Sequence, residues 1–292
     1  MQFLKWAARL FLSALDRVTG VTVYSTNHEI RKLVYKVRSR REALMVAGDR
    51  EIYVIRGGDW LIGGELFRTG EFDFAKLEIA LRLLALRSRV PRVLIDVGAN
   101  IGSISIPAVH RELVDRAIAI EPEPTNLRLL KANVALNGCD DRIEVIAAAA
   151  GETKSQAELI LASANFGDYR LVEAAARGYH TQVTVDVDTL DSLCADVDPA
   201  VALLWMDIQG HECRALAGAQ RFLAARTPLV LELDPVMLGT SGGTRALHAC
   251  LAHYDSIFDL NAPEPTARSI RDLGEVERGL LARGVATDLL II

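Results

Sequence analysis

The heptapeptide Asp96-Val97-Gly98-Ala99-Asn100-Ile101-Gly102 follows the apolar run 92–97 and combines an acid with two glycines at a strand end. Gly98 and Gly102 permit a sharp turn and let a ligand approach the backbone closely. The apolar segment 101–114 reads as a helix whose first N–H groups and positive dipole end would face that ligand. Asp96 would direct a carboxylate into the same crevice. A carboxylate suits a cationic ligand end, such as an amino acid ammonium, and repels a pyrophosphate. The turn reads G-x-N-x-G with an acid two residues earlier, not the G-x-G-x-x-G of a dinucleotide site, which disfavours a dehydrogenase.

Five further polar residues sit at or near the ends of apolar runs. Glu121 follows the run 117–120, about 20 positions past the glycine turn, a spacing suited to a ribose diol. Asn126, opening the next helix, either assists there or caps the helix. Asp207 closes the run 203–208, and His211 begins the helix after it. Glu232 lies inside the run 229–233, where a buried acid is costly unless paired. Asp207, His211 and Glu232 are therefore the candidate catalytic groups. Each also has a plain structural role open to it: Asp207 as a ligand holder, His211 as a helix start, Glu232 as the partner of an arginine.

The elements that position these residues alternate short apolar runs with helical spacing, the pattern of βαβ units and a mostly parallel sheet. Strands are expected at 92–97, 117–120, 143–147, 183–187, 203–208, 229–233, 256–260 and 288–292, and helices at 74–87, 124–137, 211–224 and 244–253. In such sheets ligands bind beyond the carboxyl ends of the strands. Residues 1–90 form a helical and mixed preamble, with a strand at 52–55 and turns at Gly57-Gly58 and Gly63-Gly64.

With 292 residues and a net charge of −5, the chain suits one large domain with an appended piece and lacks the basic surplus of a nucleic-acid binder. Arg31, Lys32, Lys36, Arg38, Arg40 and Arg41 form a local basic stretch, read as a solvated face. Cys139, Cys194, Cys213 and Cys250 are too scattered for a metal pair or a disulfide framework and suit reduced thiols in the cytoplasm. No metal site is expected. Residues 1–20 have amphipathic spacing interrupted by Lys5 and Arg9; they read as a docked helix, with weak contact to a membrane surface as the sharper alternative.

The segments LIDVGANIGSIS (94–105), IAIEPEPTNLRLLKANVALNG (118–138), LLWMDIQGHECRALAGAQ (203–220) and LVLELDP (229–235) together resemble the class I S-adenosylmethionine-dependent methyltransferases, and more narrowly the FkbM family. The resemblance implies an α/β, Rossmann-like, mostly parallel sheet with helices on both faces, spanning 71–292 after an N-terminal extension over 1–70. It implies S-adenosyl-L-methionine as cofactor, bound by Glu71, Asp96, Gly98, Ala99, Asn100, Gly102, Ser103, Glu121, Pro122, Asn126 and Asp207. Within that set the glycine turn would take the methionine part, Glu121 the ribose, and Asp207 the amino acid or the reactive methyl. It further implies O-methylation of a sugar, a glycan or a natural-product hydroxyl; with no nucleic-acid partner expected from the charge, a nucleic-acid methyltransferase using the basic stretch 31–41 is the weaker alternative. One departure stands out: the family's D-x-E-G-x-E reads here as Asp207-Ile208-Gln209-Gly210-His211-Glu212. The lost acid motivates an alternative, a non-catalytic cofactor-binding assembly or regulatory protein.

Overall fold

The computed structural model describes residues 35–36, 43–47, 50–160, 170–172, 182–240 and 243–292. Residues 1–20, the basic stretch apart from Lys36, and the loop residues 165–169 lie outside them, and with them the expectations placed there. The chain divides into two compact units, Met1–Phe72 with Ser163–Gly167, and Asp73–Ala162 with Asp168–Ile292.

In the first unit β1 (Ala43–Ala47) and β2 (Ile52–Arg56) pair antiparallel. Alternate residues of β1 are buried, as the two-residue period of a one-sided sheet requires. The expected turn at Gly63-Gly64 is instead inside α1 (Ile62–Thr69). Asp59 overrides the glycine signal: its carboxylate accepts from Leu61 N (3.1 Å) and Gly63 N (2.9 Å), satisfying amides that open the helix. The bare Gly64 also makes room for Tyr35, whose ring would lie 3.3 Å from an added Cβ.

The second unit holds an eight-stranded sheet. Its strands are β3 (Val93–Val97), β4 (Arg116–Ile120), β5 (Ile143–Ile146), β10 (Ala202–Met206), β11 (Leu229–Leu233), β12 (Ser256–Asp259), β13 (Arg268–Ser269) and β14 (Thr287–Ile291). Their order is β13-β12-β14-β11-β10-β3-β4-β5. From β11 to β5 all neighbours are parallel, while β14 runs antiparallel to β11 and to β12. All five residues of β3 and of β10 are buried, because helices must cover both faces of a parallel sheet. Strand order reverses between β3 and β10, and a crevice opens at such a switch point.

The connecting helices are α2 (Phe74–Ala85), α3 (Ser105–His110), α4 (Pro124–Leu136), α5 (Leu190–Leu193), α6 (Glu212–Ala217), α7 (Gln220–Ala224), α8 (Pro235–Thr240), α9 (Gly243–Leu251) and α10 (Leu273–Arg283). Two expectations change here. The segment 211–224 is not one helix but α6 and α7, broken around Gly218, where an added Cβ would lie 2.1 Å from the Gly151 carbonyl. The strand expected at 183–187 is β9 (Gln182–Asp188), and it lies outside the main sheet. It pairs with β6 (Ala149–Ala150) and β7 (Ser155–Ile160), and β8 (Arg170–Val172) completes this four-stranded sheet. Ala149, Leu159, Val185 and Val187 form its small core. Among the described residues no helix is long and apolar enough to cross a membrane.

Candidate active site

The glycine turn sits at the carboxyl end of β3 and is held from several sides. Gly98 N and Ala99 N both donate to Ile120 O (3.0 Å), tying the turn to β4. Gly98 has φ +85°, and an added Cβ would lie 2.3 Å from the Asp207 carbonyl oxygen, so the turn and the end of β10 are in direct contact. Asn100 (φ +51°) and Gly102 (φ +89°) are also left-handed. Asn133 of α4 donates through Nδ2 to Ile101 O (2.9 Å). The helix after the turn starts later than the apolar segment from 101 implies. Regular helix begins only at Ser105, and Gly102 N donates within the turn to Ala99 O (2.8 Å).

Asp96 lies beneath this turn, buried, and accepts a short hydrogen bond from Ser105 Oγ. Burial pushes its carboxyl up to about 7, with the Asp207 charge adding to the rise and the Ser105 hydrogen bonds opposing it. Ala99 and Ser103 are buried in the turn. Glu121, just past β4, is also buried; Oε2 accepts from Asn100 N (2.8 Å) and Oε1 from Glu123 N (2.8 Å). One lone pair on each oxygen remains for a ligand hydroxyl. Burial pushes the Glu121 carboxyl up to about 8 against the pull of those amides. Pro122 is half-buried beside it. The cap of α4 is Glu123, not Asn126: Glu123 Oε2 accepts from Asn126 N (2.6 Å).

Across the switch point, Asp207 follows β10 and is exposed to the crevice. Gln209 Nε2 donates to Asp207 Oδ1 (2.7 Å) and to Glu232 Oε2 of β11 (3.1 Å), so one amide bridges the two acids. The partner of Glu232 is thus Gln209, where an arginine was one option. Burial, followed by the charges of Asp207, Asp288 and Glu212, drives the Glu232 carboxyl well up. Desolvation also raises Asp207, and its bond from Gln209 favours the ionised form. His211 is half-buried immediately before α6, and its N–H donates to Ile208 O (3.2 Å). Glu71 falls at the end of the first unit, its carbonyl accepting from Thr69 Oγ1 (2.8 Å).

Three groups escaped the sequence reasoning. Glu212 Oε1 accepts from Ile208 N and Gly210 N (both 3.2 Å), fastening the loop that carries Asp207, and burial pushes its carboxyl up to about 7. The D-x-x-G-x-E spacing was its only signal. Lys76 of α2 bonds Asp288 Oδ2 of β14 (2.5 Å) and Asp73 Oδ1 (2.8 Å). No local spacing marks Lys76 or Asp288, which are 212 residues apart. Among the described residues no cluster of acids, histidines and cysteines could hold a metal ion. A separate cavity of about 460 Å³, lined by Arg226, His248, His253 and Arg271, borders the residues that precede β11 and β12. It therefore lies at the opposite ends of those strands from the crevice.

The model of the FkbM methyltransferase domain matches residues 96–257, more than half of the chain, and the match contains the glycine turn, Glu121, Asp207 and Glu232. The chain belongs to the FkbM methyltransferase family. It is an S-adenosylmethionine-dependent methyltransferase, and its strand order with an antiparallel β14 is the class I methyltransferase fold. The donor set suits this cofactor. Buried carboxyls beside a glycine turn match a ligand with a sulfonium, an ammonium and a ribose diol, and would repel a pyrophosphate. Solved structures similar to the methyltransferase include TYW2 from Pyrococcus horikoshii, in complex with MeSAdo, at 13% identity and TM-score 0.39 over 86% of this chain and 72% of that one. TYW2 from M. jannaschii, in complex with AdoMet, is 11% identical with TM-score 0.41 over 86% and 84%. Precorrin-6y C5,15-methyltransferase from Geobacter metallireducens is 12% identical with TM-score 0.36 over 73% and 86%. No curated protein matches the chain.

Proposed function

We propose that the methyltransferase O-methylates a hydroxyl of a sugar, a glycan or a natural product, with Asp207 as the base. The observation that supports this most is the contact between the two halves of the crevice. The Gly98 turn abuts the Asp207 backbone, so a methyl donor on the turn and an acceptor over Asp207 would meet at one point.

When bound, S-adenosylmethionine supplies an activated methyl: the acceptor oxygen bonds to it as the sulfur–carbon bond breaks, and sulfur keeps the electron pair. The chain's own task is alignment and proton removal. Alignment contributes up to about 7–11 kcal/mol in well-oriented systems, and a general base about 10²–10⁴-fold in rate. Asp207, exposed and accepting from Gln209, would take the acceptor proton and pass it to water. Glu232, holding its own proton, can donate to another acceptor hydroxyl. Asp96 braces the turn and contributes negative charge for the ammonium, and Glu121 offers its remaining lone pairs to the ribose. Gly98, Ala99, Asn100, Gly102 and Ser103 would form the wall along the methionine, with Pro122 and Asn126 beside the ribose. Glu71 and His211 complete the candidate set without a role fixed by geometry. Widely spaced free cysteines suit a cytoplasmic setting.

Asp207→Asn keeps the size and polarity of the side chain and removes the base. Assayed on an accepted hydroxyl compound, it should lose at least about 100-fold in kcat with little change in cofactor affinity. Turnover at the wild-type rate would remove Asp207 from the mechanism.

A further inference from the structure

Gln209, which stands where the sequence resemblance leads one to expect an acid, joins the two crevice acids. Gln209 sits in the left-handed region (φ +54°), followed by Gly210 (φ +91°). Glu212 fastens the strained loop by accepting from the amides on both sides of Gln209, at Ile208 and Gly210. Backbone in this region persists only where its surroundings over-determine it. The result is a side chain turned back over the strand ends, with its nitrogen 2.7 Å from Asp207 and 3.1 Å from Glu232. The two hydrogens of a single amide nitrogen are thereby committed, one to each carboxyl.

We propose that Gln209 is a positioning residue whose amide, donating to both carboxyls, holds Asp207 as the ionised, crevice-facing carboxylate beside Glu232. An acid in the same place would bring a third carboxyl against two others. Like charges so close cannot all ionise, and the trio would need an extra proton to stay together. The amide supplies both donors without titrating. The other charged groups facing the pair do not substitute for it. Asp288 of β14 and Asp73 beside α2 act on Asp207, Glu212 of α6 and Asp288 act on Glu232, and Asp96 lies across the turn. All of these are acids. The cation Lys76 is engaged by Asp73 and Asp288.

Its catalytic meaning depends on Asp207 being the base, but its physical content can be tested without an acceptor. The full chain, labelled with carbon-13 at the Asp and Glu carboxyls, would be titrated by NMR as wild type, Gln209→Ala and Gln209→Glu. Asp207→Asn and Glu232→Gln would assign the two signals, and circular dichroism would confirm folding. The Asp207 midpoint should rise by about one pH unit in Gln209→Ala, from loss of a donor, and further in Gln209→Glu, from the added charge. If Gln209→Glu does not fold, Gln209→Ala alone carries the test. An Asp207 midpoint unmoved in every variant that folds overturns the role given to Gln209. Midpoints that move while Asp207→Asn still turns over acceptor would uphold that role and sink only the assignment of the base.

Discussion

At Gly98 a backbone requirement and a steric one coincide. Its φ of +85° is costly for any residue with a Cβ, and that Cβ would lie 2.3 Å from the Asp207 carbonyl and 2.9 Å from Ile208 Cγ2. Gly98→Ala should therefore destabilise the fold by about 2–4 kcal/mol, combining left-handed strain with overpacking. Chemical denaturation would measure it, and a loss within experimental error of zero would show that the turn and β10 do not touch as described. Asp96, Glu121, Asp207 and Glu232 were all legible as candidates from the sequence, because each falls at or inside the end of an apolar run. Their partners were not. A hydrogen bond from Ser105 to Asp96 or an amide shared by Asp207 and Glu232 depends on how the loop folds back, which spacing alone does not encode. Gln209 illustrates this best: in sequence it is a missing acid, and in the structure it is a donor to two acids.

At the scale of elements, the strands were the legible part. The run 202–206 is apolar throughout, and 93–97 apart from Asp96, because both faces of the sheet are covered. The less legible elements carry weaker patterns. β7, with the sequence SQAELI, buries only Leu159 fully, and α10 buries an acid, Glu277, between Leu273 and Leu280. β7 lacks a clear alternation, and in α10 the buried acid interrupts the stripe of Leu273, Val276 and Leu280. Lys76 binds two of these elements together, joining the first turn of α2 to Asp288 of β14. Desolvation would lower its pKa, but the charges of Asp288 and Asp73 outweigh that and raise it. Lys76→Met should cost about 1–3 kcal/mol, because it leaves the largely buried Asp288 unpaired. Lys76→Met combined with Asp288→Asn should recover part of that loss. A double variant no better than the single one would mean that the ion pair does not hold α2 to the sheet.

At the scale of the molecule, the chain places several carboxyls where its parallel strands end and lets burial raise their pKa values. The cost of such an arrangement is recovered when a cationic ligand arrives. The groups with raised pKa beside the cofactor turn are Asp96, at about 7, and Glu121, at about 8. At neutral pH Glu121 is largely protonated and Asp96 partly so in the free protein, and both should ionise when an ammonium and a ribose diol bind. Binding should thus release protons near neutrality and weaken as pH falls through about 8 and then 7, where keeping these groups ionised costs more. The most direct measurement is a calorimetric titration of S-adenosylmethionine into the wild-type chain, Asp96→Ala and Glu121→Ala, near neutral pH in buffers of different ionisation heat. The account predicts saturable binding with net proton release in the wild type, and affinity weakened about 10–100-fold in each variant, as expected for one lost charge-assisted contact. A folded wild-type protein that takes up no S-adenosylmethionine, or one that binds it equally well without either carboxylate, would contradict it.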